Sequence, residues 1–133
     1  MTTMDELFGP VISEYSRAQA LDDGVLVDVS TTAREAGIRF PMALTRAVWE
    51  SCVEVPRNAK GQPVPCQDEQ GRLWDVLSMT RFAIRLAPAG QTTLPVRLRI
   101  RQRAGHRLVT LKAVCGPGDD AEPVITVMLP DED

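Results

Sequence analysis

The sequence predicts an α+β fold: short helices and one early strand, then a long amphipathic helix packed on a C-terminal antiparallel β-meander. Three observations lead there. Helix caps and glycine stops crowd the first third. One broad apolar helical face follows at residues 72–86. From residue 94 onward, short strand-like runs alternate with turn residues.

Ser16 suits the N-cap of a short helix, and Gly24 suits the left-handed position where it stops. Residues 25–29 read as a strand with three β-branched residues in five, and Asp28 faces away from Val27 and Val29. Ser30 then caps a second short helix over 31–36, closed by Gly37. Pro41 breaks the chain. The stretch 42–53 is ambiguous, but Leu44, Val48 and Cys52 fall at i, i+4 and i+8, which favours a helix through 45–52.

Residues 56–71 hold Pro56, Gly61, Pro63, Pro65 and Gly71 and no hydrophobic period. A loop of 16 residues is long for a compact domain, so it is either mobile or functional. Leu73, Val76, Leu77, Phe82, Ile84 and Leu86 then give the helix 72–86 its apolar face, and Pro88 and Gly90 end it. Residues 94–102, 107–115 and 123–129 are the strands of the meander, joined by turns at 103–106 and 116–122. Both chain ends are expected to fray, including the tail 130–133.

At 133 residues, 44% apolar and 25% charged, the chain fits a single globular domain over 1–133 and is not of the disordered class. The first residues carry acids and no positive region, and apolar runs stay far short of the ~20 residues that span a bilayer, so a cytoplasmic protein with no membrane partner is expected. Cys52, Cys66 and Cys115 lie 14 and 49 residues apart, with no C-x-x-C pair and a single histidine, His106. A four-ligand zinc site would need all four at an unusual spacing, so free thiols in a reducing compartment are expected, with no metal and no cofactor.

The net charge of −3 hides a segregated pattern. Residues 1–71 hold 6 basic and 11 acidic side chains, residues 72–112 hold 9 basic and one acidic, and residues 113–133 hold 6 acidic and none basic. Within the basic middle, Val96, Leu98 and Ile100 alternate with Arg97, Arg99, Arg101 and Arg103. On a strand this puts the apolar set on one face and the arginines on the other, about 6.6–6.8 Å apart. Such a row can track phosphates, since a guanidinium binds phosphate through a planar fork. Lys112 on the next strand widens it, as would Arg72, Arg81 and Arg85 if the long helix presents them to the same side. Two other readings stay open: a solvated face that discourages strand pairing, or a row neutralised by the acidic tail or the Asp119-Asp120 turn.

Asp119 and Asp120 could hold a divalent cation, but Gly-Pro-Gly-Asp-Asp is also ordinary tight-turn chemistry. Asp22, Asp23 and Asp28 sit around the end of the first helix, against its dipole. His106 lies in a basic turn with no adjacent Ser or Cys. Trp49 and Trp74 read as core or interface anchors, and no dinucleotide-binding, P-loop, GxSxG or HExxH motif occurs.

Three stretches carry a resemblance: Tyr15-Ser-Arg-Ala-Gln-Ala-Leu-Asp-Asp-Gly-Val-Leu-Val-Asp-Val29, Gly71-Arg-Leu-Trp-Asp75, and the run from Leu108 through Val-Cys-Gly-Pro-Gly-Asp-Asp to Pro130. Together they resemble a family of uncharacterised small proteins carried on bacterial plasmids, integrative elements and phages. The resemblance implies a mobile-element setting, in which small accessory proteins often act on host defence or DNA metabolism. It assigns no residue a role, because the family has no established activity.

The function expected is that of a non-enzymatic accessory protein binding nucleic acid or a host nucleic-acid enzyme. It would act through Arg97, Arg99, Arg101, Arg103 and Lys112, or through Asp119 and Asp120 acting as a DNA mimic. One alternative is a small metal-independent nucleic-acid-processing or nucleotide-handling enzyme, with Tyr15, Arg17 and His106 as its catalytic set. Another is a structural subunit of a larger assembly, contacted through the long loop.

Overall fold

The computed structural model describes residues 15–133 apart from Cys66 and Arg103. The elements run in order α1 (Arg17–Asp22), β1 (Leu26–Asp28), α2 (Ser30–Glu35), β2 (Met42–Thr45) and α3 (Arg46–Val48), which continues as a π-helical turn, Trp49–Val53. Then follow α4 (Glu69–Leu86), β3 (Thr93–Gln102), β4 (Gly105–Pro117) and β5 (Pro123–Met128). The expected fraying of residues 1–14 lies outside the described residues.

All five strands join one sheet in the order β1-β2-β5-β4-β3. The expected meander is there: β3 pairs antiparallel with β4, and β4 with β5. β5 then pairs parallel with β2, which pairs antiparallel with β1, so the early strand extends the meander into a mixed sheet. The registers put Val96, Leu98 and Ile100 beside Leu111 and Val109 on one face, continued by Ala113, Ile125, Val127, Met42 and Leu44. α4 lays Leu73, Val76 and Leu77 against this core face, and the π-turn adds Cys52 and Val53.

The ambiguous stretch divides: residues 42–45 form β2, and the helix expected over 45–52 follows at 46–53. Met42, Ala43, Leu44 and Thr45 are all buried, because β2 lies inside the sheet and is covered on both faces. A strand of that kind shows no alternation, and the i, i+4 spacing of Leu44 and Val48 mimics a helix. The helix begins only after Thr45, whose hydroxyl accepts the Val48 N–H at 3.3 Å.

Two other boundaries move. Val29, not Ser30, is the N-cap of α2; Ser30 instead donates to Asp28 Oδ1 at 2.6 Å. Asp68 caps α4 by accepting from Gly71, so the end of the expected loop is the first turn of that helix. The rest of the loop is folded on itself: Asn58 Oδ1 accepts from Lys60 and Gln62, Arg57 bridges Pro63, and Val64 is buried. The tail is held too. Glu132 Oε1 accepts from Thr45 Oγ1 and from the Leu129 N–H, each at 2.8 Å.

Candidate functional site

The face of the sheet away from α4 has two halves. Over β1 and β5 it is closed by α1. Ser16 and Gln19 form a reciprocal capping box, and Gly24 follows the helix at φ +78°. Asp119, from the turn between β4 and β5, adds a second cap: its carboxylate accepts from the N–H groups of Arg17 at 2.8 Å and Ala18 at 2.9 Å. These two hydrogen bonds hold the Asp119 carboxyl below the usual carboxylate range. The turn has no room for change at Gly118, where a Cβ would run into the Glu122 carboxylate.

Arg17 pins the helix down. It donates to Thr126 Oγ1 at 2.6 Å and to the Ile125 carbonyl at 3.1 Å. Burial lowers its pKa, while Asp28, Asp119 and Glu122 pull it back up. Tyr15 donates to Asp23, and that hydrogen bond raises the phenol above its ordinary value. Asp28 accepts from the Ser30 hydroxyl and N–H, which lowers its pKa. These polar groups therefore serve local structure.

Over β3 and β4 the same face is open. Arg97, Arg99 and Arg101 are exposed while Leu94, Val96, Leu98 and Ile100 between them are buried, the alternation expected of this strand. The register sets Arg97 beside Thr110, Arg99 beside Leu108 and Arg101 beside His106, with Lys112 beside Pro95. Leu108 is 70% exposed in the middle of this basic surface. Arg103 lies outside the described residues. No carboxylate among the described residues pairs with Arg97, Arg99 or Arg101: Asp119 is bound at α1 and Glu132 at Thr45.

The arginines of α4 do not join this surface, because that helix covers the opposite face. Arg81 lies over Gly37, and Arg85 is exposed. Arg72 is buried, donating from Nε to the Val53 carbonyl at 3.2 Å and from Nη1 to the Arg101 carbonyl at 2.8 Å and Gln67 at 3.1 Å. Burial pushes its pKa down, and its Nη2 has no hydrogen-bond partner among the described residues.

Tyr15, Arg17 and His106 do not meet. Arg17 holds Thr126, which pairs with Val114, and His106 lies eight residues further along β4, about 26 Å away. The three residues named for the alternative enzyme thus lie in two separate places, since an extended strand keeps its ends apart. Among the described residues no three His, Cys, Asp or Glu side chains converge to hold a metal. Burial raises the Cys52 and Cys115 thiols, and Cys66 lies outside the described residues.

Sequence reading missed Leu108, Thr110 and Pro95 as neighbours of the arginines. Their signal was available in outline: a tight turn near 103–106 sets residues of the two strands opposite each other.

By class, then, this is an α+β protein whose sheet is covered on one face and half-open and basic on the other. It belongs to the family of unknown function DUF6573, which matches residues 4–133. No curated protein and no solved structure matches the chain. No helix among the described residues is long and apolar enough to cross a membrane.

Proposed function

We propose that this is a non-enzymatic accessory protein of a bacterial mobile element that uses its open β3–β4 face to bind nucleic acid or a host protein acting on nucleic acid. The observation that supports it is the exposed, evenly spaced row of Arg97, Arg99 and Arg101 with no carboxylate partner among the described residues. A solvated face needs polar groups but not one sign of charge alone, and unpaired like charges cost stability unless a partner offsets them. The mobile-element setting, with its counter-defence role, rests on the family resemblance.

The test is binding to labelled DNA and RNA over a salt series, alongside capture of host proteins on the immobilised chain. Binding to either that weakens steeply with salt and is lost in the triple variant Arg97→Glu, Arg99→Glu, Arg101→Glu is expected. No binding to nucleic acid or host protein at low ionic strength, or binding indifferent to that variant, overturns the reading.

A further inference from the structure

β3 ends the sheet, and its outer edge is paired with no strand among the described residues. The phase of its hydrogen bonds follows from one contact. The Cys115 N–H donates to the Thr92 carbonyl at 2.7 Å, in line with the register of Thr93 beside Val114. Backbone groups of even-numbered residues therefore point to β4, and those of odd-numbered residues point outward. Two outward positions are already half closed. Pro95 has no N–H to offer, and the Arg101 carbonyl accepts from Arg72. Between these two positions Arg97 and Arg99 keep both the N–H and the C=O open, and Pro95 and Arg101 keep one group each.

Both sides of this short edge are built. On the open face stand the side chains of Arg97, Arg99 and Arg101. On the other side, α4 and β3 enclose an apolar cleft of about 420 Å³, lined by Met79, Phe82, Leu86, Leu94 and Pro95 and reaching Arg97. Phe82 is 55% and Leu86 69% exposed there.

We infer that the β3 edge takes an extended segment of a partner protein whose acidic residues alternate with apolar ones, adding it to the sheet as a sixth strand. This rests on the reading that the arginine face is the binding face, and it names the partner's chemistry. A strand offers both donors and acceptors to Arg97 and Arg99, whereas a phosphate backbone offers only acceptors and would leave the two carbonyls unmatched. Alternation sends carboxylates to the arginines and apolar side chains to the cleft. A second copy is disfavoured, because pairing β3 with itself would set two arginine rows about 4.8 Å apart.

The probe is a synthetic peptide of about nine residues alternating Glu with Leu and Val, tested against the full chain beside labelled DNA and RNA. Peptide binding with slowed amide exchange at Arg97 and Arg99 is expected. Leu86→Ser should weaken it about tenfold and leave exchange in the core strands unchanged. Peptide binding without protection of those two amides overturns the added strand but leaves the basic face as the binding face. Nucleic-acid binding sensitive to the triple Glu variant, with no peptide bound, does the same. Binding of neither overturns the inference, and failure to capture host proteins as well overturns the proposed function with it.

Discussion

Arg17 and Arg99 stand over the same face of the same sheet and meet opposite fates. Arg17 is half-buried under α1, and its guanidinium is spent on Thr126 and the Ile125 carbonyl. Arg99 sits two strands away, exposed, with Leu108 opposite it and Arg97 and Arg101 on either side. A carboxylate is available in the molecule, but Asp119 goes to the N-terminus of α1 and not to the arginine row. The chain thus satisfies its polar groups on one half of the face and leaves them unmatched on the other. Charge that contributes to folding and charge left exposed are separated by strand position.

Substitution should split these two roles. The largest effect is on binding: the triple Arg→Glu variant at 97, 99 and 101 should lose at least about a hundredfold in affinity for an anionic partner at low salt. Its unfolding midpoint in urea should shift little, each change staying within about 0.5 kcal/mol as for exposed surface sites. Collapse of stability in that variant would show that the row serves the fold.

Arg17→Ala should do the reverse. It removes hydrogen bonds from a charged group to Thr126 and Ile125, at a cost of about 2 kcal/mol, read by urea denaturation, with anion binding unchanged. Ser16→Ala loosens the same helix through its capping box and should cost about 1 kcal/mol. If Ser16→Ala weakens partner binding as much as it weakens folding, the two halves of the face are coupled and the division fails.

The two halves were also unequally legible in sequence. The open half is written locally: alternation along one strand puts Val96, Leu98 and Ile100 inside and the arginines outside, and the burial pattern follows it residue by residue. The ends of α1 were legible for the same reason, since Ser16 and Gly24 are cap signals carried by the segment itself. The closed half depends on contacts between distant residues. Arg17 meets Asp119 across 102 residues and Thr126 across 109, and no local pattern encodes either. β2 was hidden because burial on both faces erases alternation. The burial of Arg72 has no local signal, because arginine is rarely buried, and here the Val53 and Arg101 carbonyls hold it inside.

The smallest expected effect concerns pH and sharpens the comparison further. The Asp119 carboxyl is held below its ordinary range by the N–H groups of Ala18 and Arg17. A depressed folded-state pKa means that its stabilising contribution is complete above the ordinary aspartate range and fades as pH falls through the lower, folded value. Asp119→Ala should therefore be less stable than the parent near neutrality, and the gap in denaturation midpoint should close on acidification below pH ~4. A gap that persists unchanged at low pH would mean that Asp119 acts through the shape of its turn and not through its charge, and the closed half of the face would then owe less to electrostatics than the open half.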